Sequence, residues 1–156
     1  MSLMLLQQPM ASDLRLVTAS FRAISDLARI DEMAYETALL SMEVDLGSPK
    51  EVADLLVAMA DNAAKMVMQA VESFGSGDVS VAENVFVEDD TMDKLYEQVR
   101  TRVVALLKAG EEPASVAPEI LSVAKYYERM GDHAQSVSDW SIFRATGSYR
   151  GRTMGE

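Results

Sequence analysis

The chain has 156 residues, 49% of them apolar and 25% charged, enough to bury one domain-sized core and too apolar to be disordered throughout. With no Cys and one His, it excludes disulfides, thiolate metal sites, a Cys nucleophile and a multi-His centre within one subunit. Acids outnumber bases 25 to 14, and the net charge of −11 disfavours nucleic acid while suiting cations or a basic partner.

Four long helical segments are predicted between clear stops. Segment one runs from about Ser12 to Leu46, between Pro9 and Gly47-Ser48-Pro49. Leu14, Val17, Phe21, Ile24, Ala28, Tyr35, Leu39, Met42 and Leu46 recur at steps of mostly three and four, which predicts its buried face. Segment two opens on Ser48-Pro49-Lys50-Glu51, a capping-box pattern with Pro at the first helical position. Its stripe is Val52, Leu55, Leu56, Met59, Ala63, Met66, Ala70 and Phe74, and Gly75-Ser76-Gly77 ends it. Segment three follows Asp78 or Ser80, with Ser80 and Glu83 as a second capping box. Val81, Val85, Met92, Tyr96, Val99, Val103 and Leu106 form its stripe, and Gly110 its stop. Segment four starts between Ser115 and Pro118 and runs to about Ala145, with Ile120, Leu121, Ala124, Tyr127, Ala134, Val137 and Phe143 inward.

Segments of this length, each roughly 40–50 Å long, joined by short loops pack as an antiparallel bundle. The expected fold is all-α, one domain over residues 1–156, with residues 147–156 as a loose tail and no strand. Met59, Met66 and Met92 fall on the stripes, so gap-filling in the core is their expected role. The start has no basic region before its short apolar run, and no segment has the ~18 uncharged apolar residues of a membrane span. A cytoplasmic protein is expected, reaching membranes through partners alone.

Chemistry concentrates in acidic pairs. Glu128 and Asp132 stand at i, i+4 on segment four, and Asp89 and Asp93 on segment three. Each pair lies on one helix face, where like charges repel and a cation between them reverses the sign. If the two segments are neighbours, four carboxylates face one seam, the arrangement by which bundles build metal sites. Spacing alone carries little: random placement of 25 acids gives about four such pairs, and the sequence has four, the others being Glu32 with Glu36 and Asp93 with Glu97. Gly131 adds weight. Inside a helix it costs roughly 0.8–1 kcal/mol against Ala and often marks close approach of a ligand or another backbone. His133, as a lone His, reads as a supporting or surface group. The Glu-x-x-His spacing of di-iron bundles is absent, which disfavours a ferritin-like oxidase.

Tyr126-Tyr127-Glu128-Arg129-Met130-Gly131-Asp132-His133-Ala134 resembles the last helix of the PhoU family of phosphate-signalling regulators. Gln7-Gln8-Pro9-Met10-Ala11-Ser12-Asp13-Leu14-Arg15 is similar to the family's entry to the last helix of its first repeat. Asp89-Asp90-Thr91-Met92-Asp93-Lys94-Leu95-Tyr96 is similar to its second-repeat middle helix. The family fold is two tandem three-helix bundles. The resemblance implies that segment one is the third helix of repeat one, that segments two to four are repeat two, and that two helices are missing, whether the gene is short or the chain was cut.

The resemblance further implies a metal cluster in each repeat, held by Glu/Asp-x-x-x-Asp motifs. Repeat two is intact as Asp89, Asp93, Glu128 and Asp132. In repeat one, Asp26-Leu27-Ala28-Arg29-Ile30-Asp31-Glu32 puts Ala28 where the family has its first acid, so one metal site is expected. The ion would be divalent or trivalent, with iron, zinc, manganese and magnesium open. The implied function is a non-enzymatic negative regulator of phosphate uptake and phosphate-responsive transcription signalling. It would link the phosphate ABC transporter's ATPase subunit to a sensor histidine kinase. A metal-free adaptor bundle and a metal-storage or oxidase bundle are the rivals. With two helices missing, segment one must bury its apolar face on the other segments or on another chain, so a four-helix bundle and a homodimer exchanging segment one are both compatible.

Overall fold

The structure, a computed structural model, describes residues 11–47, 49–110, 114–150 and 152–153. Four helices dominate it: α1 Ala11–Glu43, α2 Lys50–Ser76, α3 Val79–Ala109 and α4 Ala117–Thr146. They hold 33, 27, 31 and 30 residues. A 3-10 turn, Ala114–Val116, leads into α4, and strands β1 Ser148–Tyr149 and β2 Arg152–Thr153 follow it. The bundle of four long helices is as expected from the stripes.

The helix ends follow local chemistry. Gly77, Gly110 and Gly147 end α2, α3 and α4 in the left-handed conformation, at φ 77°, 69° and 81°. That backbone is strained for any residue with a Cβ. Two predicted capping boxes are corrected. Asp78, not Ser80, caps α3: its Oδ1 accepts from the Ser80 amide at 2.9 Å and the Ser80 hydroxyl at 2.7 Å. At α2, Pro49 is the cap residue and Lys50 the first helical residue, and no side chain bonds to the cap; Ser48 lies outside the described residues.

Helices α2, α3 and α4 pack on one another, and α1 makes its main contact with α4 alone. Directions follow from cross-contacts. Lys65 meets Glu88 and Glu51 meets Arg102, so α2 and α3 are antiparallel. Asp26 meets His133 and Arg15 approaches Gly147, so α1 runs antiparallel to α4. The three mutual helices enclose a core in which Met59, Met66, Met92, Val85, Val99 and Val137 are fully out of solvent. The inward stripes of segments two, three and four are thus as predicted, and the core methionines fill gaps among β-branched neighbours.

Segment one departs from expectation. Ala19, Ala23, Met33 and Thr37 are its buried residues. The predicted face points outward instead: Phe21 is 66% exposed, Ile24 63%, Tyr35 63% and Met42 84%. The physical reason is that α1 carries two apolar stripes, and the one it buries adds Leu27, Ile30 and Leu40, half-buried against the core, to Ala19, Ala23 and Met33.

The tail also departs from expectation. Ser148 pairs with Thr153 and Tyr149 with Arg152 in a short antiparallel hairpin. Arg150, at φ 49°, begins its turn in the left-handed region that two-residue hairpins demand. Tyr149 stacks on Trp140 with ring centroids 4.3 Å apart, and Arg150 Nε donates to Asp139 Oδ2 at 3.0 Å. These contacts hold the described part of the tail on α4.

Candidate metal centre on the α3–α4 seam

The seam is built around Gly131. A Cβ there would stand 3.2 Å from Met66 Cε, 3.3 Å from Met66 Sδ and 3.5 Å from Asp89 Oδ1. Glycine therefore lets α2 and α3 side chains close over this turn of α4, the close approach that a helical Gly suggested. Glu128 and Asp132 flank that turn, one on either side of Gly131 along the same face. Asp89 and Asp93 repeat the i, i+4 geometry on α3.

The four predicted carboxylates share one field. Asp89 has its pKa pushed up to about 6, first by burial and then by repulsion from Asp93, Asp132 and Glu128, with Asp90 last. Burial, with repulsion from Glu128 second, also raises Asp132, against the opposing pull of Lys125. Asp89 and Glu128 are half-buried, while Asp93 and Asp132 open to solvent. The arrangement is a shallow acidic wall with one wet side.

Lys125 answers part of that charge. Its Nζ stands 2.6 Å from Glu128 Oε2 and 5.3 Å from the centre of the Tyr96 ring. Pairing with Glu128 raises the lysine's pKa. The sequence reading passed over Lys125, although its place three residues before Glu128 is a readable signal. Among the described residues, no three acidic or histidine side chains already converge as a ligand cage. An ion would have to draw the carboxylates inward and displace Lys125. The donor set nevertheless fits one: all oxygen, four negative charges, and a shielded Glu128 Oε2 that lacks a well-angled hydrogen bond.

His133 faces away from this wall. Its Nδ1 lies 2.8 Å from Asp26 Oδ1, and Ser136 Oγ donates to Asp26 Oδ2 at 2.7 Å. The lone His is thus a tether between α4 and α1. The sequence reading missed Asp26, since residues 107 positions apart leave no local signal. Glu32, four residues after Ala28, pairs at 2.6 Å with Arg29 of its own helix.

These features define a class: an all-helical bundle with a polarised carboxylate wall, and no Gly-rich phosphate loop or Ser-His-Asp relay among the described residues. Comparison with known proteins narrows it. The PhoU domain model matches residues 56–141. A "Phosphate-specific transport system accessory protein PhoU homolog 1" of Methanothermobacter thermautotrophicus is 30% identical over 146 residues, covering 93% of this chain and 67% of its own length. The Rhizobium meliloti homolog of the same description is 29% identical over 145 residues, covering 91% of this chain and 60% of its own. The crystal structure of PhoU from Pseudomonas aeruginosa superposes with a TM-score of 0.86 at 26% identity, over 94% of this chain and 70% of that one. The chain belongs to the PhoU family. The two relatives are named as accessory proteins of a transport system, not as enzymes, and the chain spans about two thirds of their length or less. Among the described residues, no helix is long and apolar enough to cross a membrane.

Proposed function

We propose that this protein is a non-enzymatic regulator in phosphate uptake, acting in the cytoplasm through protein–protein contacts and bearing one metal-binding carboxylate site. Membership of a family whose relatives are named as accessory proteins of phosphate-specific transport supports the first part. The second part rests on one observation: Asp89 Oδ1 stands over Gly131, and burial with repulsion from Asp93, Asp132 and Glu128 raises its pKa. A half-buried acidic wall of this kind is destabilising unless a proton, Lys125 or a cation offsets it. In this reading Asp89, Asp93, Glu128 and Asp132 hold a hard or borderline ion such as magnesium, manganese, iron or zinc. The ion locks α3 against α4. The outer faces of the bundle would then engage the ATPase subunit of the phosphate transporter and a sensor histidine kinase, repressing uptake and the phosphate response.

Lys125 on Glu128 favours a second reading, a metal-free adaptor in which the lysine is the standing counter-charge. Metal analysis of the protein purified without added ions separates the two. The metal reading expects about one or more bound ions per chain, lost in the Glu128→Ala/Asp132→Ala double variant while the helical circular-dichroism signal persists. A metal-free wild type that still captures the ATPase subunit or the kinase supports the adaptor. Capture of neither partner would sink the regulatory role.

A further inference from the structure

We propose that the α1–α4 seam carries a docking surface for an acidic helical segment of a partner protein, read by a row of arginines. Helix α1 has three basic residues, Arg15, Arg22 and Arg29, and they follow one another at intervals of seven. Seven residues are nearly two turns, so the three lie along one side of the helix at steps of about 10.5 Å. Their contacts place that side beside α4. Arg15 lies against Gly147, and the Arg22 guanidinium stands 5.8 Å from the centre of the Trp140 ring. Arg29 shares a polar cleft of about 570 Å³ with His133, and Arg129 of α4 enters the same cleft. Gly147, Trp140 and His133 are themselves seven apart, so the row and the seam run in step.

The row holds positive charge that the chain itself does not answer. With a net charge of −11, acids are plentiful. Yet among the described residues Arg15, Arg22 and Arg129 meet no carboxylate at ion-pairing distance. Arg22 and Arg129 are exposed, and Arg15 Nε is shut off from solvent with no acceptor, a costly state for a charged donor. Arg29 pairs with Glu32 on an open surface, at 62% and 60% exposure, where a second carboxylate can replace the first at little cost. The nearby acids are already engaged, Asp26 by His133 and Ser136 and Asp139 by Arg150, which leaves Glu36 as the opposing charge of the cleft. The chemistry of the row selects its occupant. Guanidinium groups grip carboxylates through paired N–H donors. A partner helix laid along the groove offers one carboxylate to each arginine of α1 when its acids recur every seventh residue. Nucleic acid and anionic lipid carry dense charge that the acidic surface beyond the row repels, whereas a helix acidic on one face presents its charge to the row alone. The proposal uses none of the four carboxylates of the metal wall.

The experiment titrates the full chain into two labelled synthetic helical peptides of equal length and charge. One carries Glu at every seventh residue, and the other spreads the same glutamates over all faces. Binding is read by peptide anisotropy and by the fluorescence of Trp140, the only tryptophan, which loses its cation–π neighbour when a carboxylate draws Arg22 aside. The in-register peptide should bind at least tenfold more tightly than the other, and should weaken as salt rises from about 0.05 to 0.3 M. Arg22→Ala and Arg29→Ala should each weaken it at least fivefold with unchanged helical signal, Arg22→Lys should weaken it less, and Glu36→Gln should tighten it. Lys108→Ala, on α3, should leave it unchanged. Binding of neither peptide, equal binding of both, or in-register binding indifferent to Arg22→Ala and Arg29→Ala overturns the proposal. Preference for vesicles of equimolar phosphatidylserine and phosphatidylcholine over the in-register peptide overturns it too, and assigns the row to lipid.

Discussion

Asp89 is the residue in which the sign of the electrostatics can be tested. Its folded pKa of about 6 lies above the 3.8 of an unperturbed carboxyl, so the folded chain binds the proton more tightly than the unfolded one. The associated stability is complete below the unfolded value and is lost as pH rises through about 6. Metal-free protein should therefore gain about 0.5–1 kcal/mol from this group in urea unfolding between pH 7.5 and pH 5, after allowance for solvent screening. Asp89→Asn should be more stable than wild type at pH 7.5 and should lose much of that response. Equal midpoints for the two proteins at pH 7.5 would mean that the wall carries no strain. Gly131 gives a second test. An alanine gains ~1 kcal/mol of helix propensity but presses on the Met66 thioether, whose flexible end can give, while it meets Asp89 at ordinary contact distance. Gly131→Ala should therefore leave the unfolding free energy within about 1 kcal/mol of wild type, read by urea unfolding. A loss of several kcal/mol would show that Met66 cannot yield.

At the scale of elements, the three mutual helices were legible because each has one apolar stripe and a polar remainder. Met59, Met66, Val85, Met92, Val99 and Val137 are all where a 3.6-residue period puts them. Helix α1 was legible as a helix but not in its orientation. Both of its stripes are apolar, and periodicity has no means of choosing between them. What holds α1 in register is polar and long-range: Asp26 on His133 and Ser136, and Arg22 with its guanidinium 5.8 Å from the Trp140 ring. Asp26→Ala should cost about 1–3 kcal/mol, since it removes both bonds and leaves two half-buried polar groups unpaired. Urea unfolding checks the cost, and limited trypsin digestion at Arg22 and Arg29 should accelerate. The hairpin at 148–153 was not legible, because two-residue strands show no period and its anchors, Trp140 and Asp139, belong to another element.

At the scale of the whole molecule, stability is uneven. Helices α2, α3 and α4 each pack on two others, whereas α1 depends mainly on α4. A unit held by one interface opens at lower free energy than the core it rests on. Hydrogen exchange at low micromolar concentration should show α1 amides exchanging by a partial opening, at least tenfold faster than the core amides of α2 and α4. Uniform protection across all four helices would indicate one cooperative unit.

The sequence by itself determined the all-helical class, the four segments, three of the four inward faces and the acids that would serve a cation. Each of these is written in local spacing, which reports which residues share one side of a helix. Only the tertiary structure decided that Asp89 closes over Gly131, that Lys125 shares the wall, that His133 serves α1 and that the bulky stripe of α1 faces water. Those outcomes depend on which faces of different helices meet. That choice is settled by how closely two backbones can approach, a property of the pair of surfaces and not of either stripe alone.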